Sequence, residues 1–200
     1  ATDTFSYVAS DGRGGSAEAT ATITVHGGNQ GPIAVGDEYQ VDEDQINLIY
    51  AAPGSGVLAN DYDNDGNPLT VTAINGDTSA VGSEITLVGG LIVTVHGDGE
   101  ISLEPDGKFE HLAQGATQQQ TLTYTASDGF AAADASITVV VTGLNDAPVA
   151  VVDSYATTKD QSISRDAALG LLINDYDVDD GAIISLDIDP AGASLVSTYG

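Results

Sequence analysis

The feature that most constrains this chain is that it repeats itself. Phe5-Ser6-Tyr7-Val8-Ala9-Ser10-Asp11-Gly12 matches Leu122-Thr123-Tyr124-Thr125-Ala126-Ser127-Asp128-Gly129. Asn29-Gln30-Gly31-Pro32 matches Asn145-Asp146-Ala147-Pro148, and Asp37-Glu38-Tyr39 matches Asp153-Ser154-Tyr155. Leu58-Ala59-Asn60-Asp61-Tyr62-Asp63 matches Leu172-Ile173-Asn174-Asp175-Tyr176-Asp177. The four matches keep one order and one spacing of about 116 residues. Solenoid repeats are shorter, at about 20–50 residues, so this period implies an array of domains. One whole copy runs over residues 32–147. Residues 1–31 read as the C-terminal part of a preceding copy and 148–200 as the N-terminal part of a following one. The opening Ala1-Thr2-Asp3-Thr4 reads as the middle of something, so an export signal is expected outside this stretch.

Within the copy, period-2 alternation dominates. In Thr121-Leu122-Thr123-Tyr124-Thr125-Ala126 the apolar side chains fall on one face and the threonines on the other. Residues 136–141 and 21–25 behave the same way, and 69–73, 85–88, 91–95 and 101–103 are further strand candidates rich in Val, Ile, Leu and Thr. Asn75-Gly76, Gly89-Gly90, Asp98-Gly99, Pro105-Asp106-Gly107 and Asp128-Gly129 mark the turns between them. No segment carries a sustained helical stripe. Seven or eight short strands in one copy predict an all-β, two-sheet Greek-key sandwich.

Charge narrows the partners. Thirty acidic residues face four basic ones, for a net charge of -26. That excludes phosphate-neutralising nucleic-acid binders and docking on anionic membranes. It favours multivalent cations, because carboxylates crowded together without a counter-ion repel one another. Most of the acids are Asp beside Gly, Asn or another Asp, a pattern suited to Asx-turns or to hard-cation ligands. With no Cys, disulfide and zinc–thiolate chemistry is impossible. No apolar run approaches the roughly 20 residues of a membrane span.

The strongest local motif is Asn60-Asp61-Tyr62-Asp63-Asn64-Asp65-Gly66-Asn67, which recurs as Asn174-Asp175-Tyr176-Asp177-Val178-Asp179-Asp180-Gly181. Carboxylates at alternate positions followed by Gly can curl around one calcium ion, which takes about 6–8 oxygens. An EF-hand fails, because Thr72 stands where the bidentate Glu belongs and the flanks read as strands. The plainer alternative is a polar turn held by Asx hydrogen bonds. A turn alone does not need so many like charges, so the motif makes Asp61, Asp63, Asp65, Asp175, Asp177 and Asp179 candidate Ca2+ ligands. Asp77, Asp98 and Asp106 fall in predicted hairpin turns and read as structural.

Taken together, Leu58-Ala59-Asn60-Asp61-Tyr62-Asp63, Tyr124-Thr125-Ala126-Ser127-Asp128-Gly129 and Asn145-Asp146-Ala147-Pro148 resemble three motifs of cadherin repeats: the Asp-x-Asp loop, the Ala-x-Asp-Gly turn and the Asn-Asp-x-Pro linker. The wording is closer still to bacterial cadherin-like, VCBS-type tandem repeats of large secreted or surface proteins, often adhesins. The resemblance implies a cadherin/immunoglobulin-like sandwich with calcium at the junctions between repeats. It implies ligands Glu43, Asn145, Asp146, Asp175 and Asp177 near Pro148, and Asn29, Asp61, Asp63 and Asp128 near Pro32. Three departures stand out: Gln30 replaces the linker Asp, Lys159 takes the place of Glu43 in the following copy, and residues 111–117 carry no carboxylate where animal cadherins have an acidic mid-repeat motif.

The expected function is a calcium-stiffened spacer or assembly module of an extracellular bacterial adhesin or filament, and not an enzyme. Its partners are neighbouring repeats, with head-to-tail self-assembly through the two partial copies. A glycan- or protein-binding module, or an accessory domain of a secreted enzyme, is the alternative. His26, His96 and His111 share no metal spacing, and nothing singles out a catalytic carboxylate pair.

Overall fold

A computed structural model describes residues 1–46, 48–50, 55–164 and 170–186. The rest of the 148–200 segment, at 165–169 and 187–200, lies outside the described residues. In chain order the strands are β1 (Thr2–Ser10), β2 (Ser16–Thr24), β3 (Asp37–Asp42), β4 (Leu48–Tyr50) and β5 (Thr70–Ile74). They continue with β6 (Ile85–Thr86), β7 (Ile92–Val95), β8 (Ile101–Glu104), β9 (Thr117–Ser127) and β10 (Ala132–Thr142). One 3-10 turn at Thr78–Ala80 interrupts this all-β order among the described residues, and the Asp77 carboxylate caps it through the Ser79 amide.

Strands β3 to β10 form a sandwich of two four-stranded sheets, ordered β3-β10-β9-β5 and β4-β8-β7-β6. All pairs are antiparallel except β3 on β10, the first strand of the copy running parallel to the last. Alternation in the sequence fixes which side chains meet between the sheets. From β9 and β10 come Leu122, Tyr124, Ala126, Ile137, Val139 and Val141, all buried; Val93, Val95, Ile101 and Leu103 oppose them from β7 and β8. Each full burial of a Val, Leu or Ile side chain contributes about 1.5–3 kcal/mol, which makes this layer the main stabilising term.

The β1–β2 hairpin forms a separate two-stranded sheet. Its Phe5, Tyr7, Ile23 and Val25 occupy the positions of Leu122, Tyr124, Val139 and Val141 in the complete copy, yet each is at least half exposed. A second asymmetry follows from the same cause. Asp37-Glu38-Tyr39 lies in β3, whereas its match Asp153-Ser154-Tyr155 adopts no strand. In the complete copy the β10 backbone templates β3, which residues 153–155 match in sequence but not in conformation. Sequence pattern predicted β5 to β10 but not β3 and β4, whose pairing depends on distant partners.

Candidate metal centre

The acidic loops lie at the two poles of the sandwich, and each forms where a linker leaves or enters it. The β9–β10 turn carrying Asp128 marks one pole; the ends of β3 and β10, at Asp42 and Thr142, mark the other. Eleven residues of β9 separate them, roughly 35 Å at strand rise.

At the first pole the 60–67 loop is wired to the linker. Asp61 Oδ1 accepts the Val35 amide at 2.7 Å, and Asp63 Oδ1 accepts the Asp65 and Asn67 amides at 2.8 and 3.2 Å. Asp65 Oδ2 accepts the Gln30 amide at 2.6 Å. Asn67 donates to Asn29 Oδ1 at 3.0 Å, and Asn29 donates to Asp128 Oδ2 at 2.8 Å. A backbone bridge between Ile33 and Tyr62 clips the loop to the entering chain.

The second pole repeats the backbone part of this wiring. Asp175 Oδ1 accepts the Val151 amide at 2.8 Å, Asp177 Oδ1 the Asp179 amide at 3.0 Å, and Asp179 Oδ2 the Asp146 amide at 3.2 Å. A Val149–Tyr176 bridge replaces Ile33–Tyr62. Here the C-terminal pole of the complete copy also takes part. Gly143 allows it: a Cβ there would run into the carbonyl oxygens of Leu112 and Ala113, so β10 leaves tight against that turn. Glu43 Oε1 then accepts the Leu144 amide at 2.6 Å, and the Asp180 amide donates to the His111 carbonyl at 2.8 Å, joining the following segment to the sandwich.

Glu43, Asp146 and Asp179 converge so that one carboxylate oxygen of each lies within 4.8 Å of the others. Glu43 is 2% exposed. Glu43 Oε2, Asp146 Oδ2 and Asp179 Oδ1 are buried without a hydrogen-bond partner. Burial raises the Glu43 carboxyl pKa, helped by the charges of Glu110, Asp146 and Asp44. Asp146 is raised by desolvation first and then by Asp179, Asp44 and Asp177. An open cleft of about 280 Å³ lined by Glu43, Asp44, Glu104, Asp106 and Glu110 adjoins the cluster. Buried carboxylate oxygens aimed at one another and unpartnered are costly unless a cation accepts them. The donor set is oxygen throughout, which fits a hard cation such as Ca2+ and not a thiolate- or imidazole-seeking metal.

The structure therefore brings together Glu43, Asp146 and Asp179, with Asp177 beside them; at the first pole Asp128 meets Asn29, Asp65 meets Gln30 and Asp63 holds its own loop, without a comparable cluster among the described residues. At the first pole Asp63 Oδ2 and Asp37 Oδ2 are buried and unpartnered. Asp61 faces inward: its Oδ2 lies 2.8 Å from the Tyr124 hydroxyl. Asp175 caps Val151 in the same way as Asp61 caps Val35. Asn145 Nδ2 turns to the Asp146 carbonyl at 2.8 Å. Asp128 is nearly buried, and its carboxyl is held low by the Ala131 amide, Asn29 and the Phe130 amide. Two acids escaped the sequence reading. Glu110 precedes the carboxylate-free 111–117 stretch by one residue and faces Asp146 and Asp44. Asp37 lies beside Asp61, and burial together with the Asp61 charge pushes its carboxyl up to about 7. The Asp37-Glu38-Tyr39 match was its only signal. Asp106 occupies its turn with φ 53° and also lines the Glu43 cleft, while Asp98 caps the Glu100 amide.

These features define a class: an all-β sandwich with acidic loops at both poles and an oxygen-only carboxylate cluster at one of them. The chain belongs to the bacterial cadherin-like domain family, whose family model matches residues 29–143. No curated protein matches the chain. Among solved structures it is similar to the extracellular cadherin domains 1-5 of protocadherin gamma B2, at 21% identity and a TM-score of 0.43, covering 78% of this chain and 28% of that one. It is also similar to an endo-fucoidan hydrolase of glycoside hydrolase family 107, at 17% identity and a TM-score of 0.32, covering 75% of this chain and 21% of that one. Likeness at these scores carries no argument about activity. Among the described residues no helix is long and apolar enough to cross a membrane.

Proposed function

We infer that this chain is part of a tandem array of cadherin-like repeats, outside the bacterial cell, whose junctions are stiffened by calcium. The array serves as a spacer or assembly module of an adhesin or filament, and the reading is structural, not catalytic. The observation that carries it is the convergence of Glu43, Asp146 and Asp179, each with a buried oxygen lacking a partner. Glu43 follows β3 at the C-terminal pole of the complete copy, Asp146 lies in the linker and Asp179 lies in the acidic loop of the following copy. An ion held by all three ties three consecutive parts of the chain into one rigid unit, with Glu110, Asp44 and Asp177 close by.

Neighbouring copies are the natural partners of the exposed apolar faces. The hairpin face of Phe5, Tyr7, Ile23 and Val25 is the counterpart of a face that the complete copy buries. The free edge of β2 corresponds to the β10 edge that accepts β3 in parallel. In this chain a second molecule can supply the missing strand from residues 153–158, head to tail.

Calorimetric titration with calcium, paired with thermal melts in excess calcium and in excess chelator, tests the reading. Binding together with a higher melting temperature in calcium is the expected result. Identical melts and no heat of binding would overturn it.

A further inference from the structure

Gln30 and Asp146 occupy the same place in two successive linkers, and their backbones behave alike. Each amide donates to the third carboxylate of the acidic loop that follows, Asp65 Oδ2 or Asp179 Oδ2. Their side chains part company. At the second pole Asp146 adds a third carboxylate, and Asp179 Oδ1 is left buried and unpartnered. At the first pole the Gln30 side-chain amide donates to Asp65 Oδ1 at 3.4 Å. That oxygen is the counterpart of the unpartnered Asp179 Oδ1. An amide N–H supplies what the second pole lacks, a donor for the outer carboxylate oxygen, and it removes one negative charge.

We propose that Gln30 is a built-in substitute for the cation, so that the linker at the first pole is held by its amide without calcium at that position, while the linker at the second pole needs calcium. The two junctions of one chain are then unequal. One keeps its geometry whatever the calcium level, and the other loosens when calcium is withdrawn. The proposal rests on the cation reading of Glu43, Asp146 and Asp179. Its distinct content is that a single linker side chain decides between a cation-held and an amide-held junction. The wiring common to both poles makes the exchange feasible, since the same backbone donor and the same loop carboxylate receive either side chain.

The test moves the glutamine to the second pole. The Asp180 amide reports closure there, because it donates to the His111 carbonyl across the junction. In the unmodified chain its hydrogen-exchange protection should fall at least about tenfold when calcium is chelated. Asp146→Gln should bind one calcium ion fewer by calorimetry and yet keep Asp180 protected in chelator. Asp146→Ala should lose both the ion and the protection. Gln30→Ala should leave the ion count unchanged. If Asp146→Gln opens in chelator as Asp146→Ala does, or if Gln30→Ala loses an ion, the substitution idea is overturned while the cation reading stands. If the unmodified chain binds no calcium, both fall.

Discussion

The Tyr124 hydroxyl, inside the sandwich, lies 2.8 Å from Asp61 Oδ2, while Asp61 Oδ1 receives the Val35 amide at 2.7 Å. The phenol is also near the Val35 and Val57 carbonyls, at 3.1 and 2.9 Å, but its single proton is strongest toward the carboxylate. The first Asp of the acidic motif is thus anchored in the core, while the second accepts loop amides and the third accepts from the linker residue Gln30.

Asp61→Ala is therefore expected to destabilise the fold in calcium and in chelator alike. It strips an acceptor from the Val35 amide and the preferred one from the Tyr124 hydroxyl, a loss of about 1–3 kcal/mol. Urea unfolding in both conditions measures it. A loss seen only in calcium would mean that Asp61 acts chiefly as a ligand.

Glu43→Ala and Asp179→Ala should weaken calcium binding, whereas Asp134→Asn should not. Asp134 is exposed on β10, and its carboxylate accepts the Thr125 hydroxyl at 2.6 Å, at the opposite end of that strand from the Glu43 cluster. Calorimetry on the three variants decides it. For scale, an ion at a hundred times its dissociation constant adds about 2.7 kcal/mol of stability. Equal affinities would displace the site.

Without calcium, stability should rise as the pH is lowered from about 7 toward about 4. The Asp37 carboxyl is raised to about 7 from an ordinary 3.8, so the folded state holds more protons than the unfolded chain across that window. Its contribution is complete below the unfolded value and is lost as the pH climbs through 7. Glu43, Glu110 and Asp146 shift in the same direction. Asp37→Asn should flatten the upper part of this dependence, as read from chelator melts at several pH values. An unchanged profile would show that Asp37 is not the group responsible.

Self-association should depend on two different faces. Ile23→Asp charges the hairpin face, and Tyr155→Asp charges the segment matching β3. Each variant alone should stop growth at both ends of a chain of molecules. An equimolar mixture should form dimers and nothing longer, because each molecule retains one competent face. Light scattering across a concentration series reads the outcome. A monomeric parent chain, or two variants that associate as the parent does, would remove the head-to-tail arrangement.

The repeat, the all-β class and most of the sandwich were legible in the sequence because they rest on local rules. Alternation names the buried faces of β9 and β10, and Asn-Gly, Asp-Gly and Gly-Gly place the turns. The Asp loops were equally plain, since their turn residues and charges lie together in the chain. Tertiary structure decided what each carboxylate binds. Asp61 and Asp65 differ little on paper, but Tyr124 and Val35 turn one inward while the linker amide turns to the other. It also brought Glu43 beside Asp146 and Asp179, which are over a hundred residues away. Glu110 was missed because its neighbours at the junction come from the turn after β3 and from the linker, not from its own segment. Sequence pattern records what a residue does within a strand or a turn. Where three separate stretches must meet to make one cluster, only the packing of the sheets determines which side chains share it.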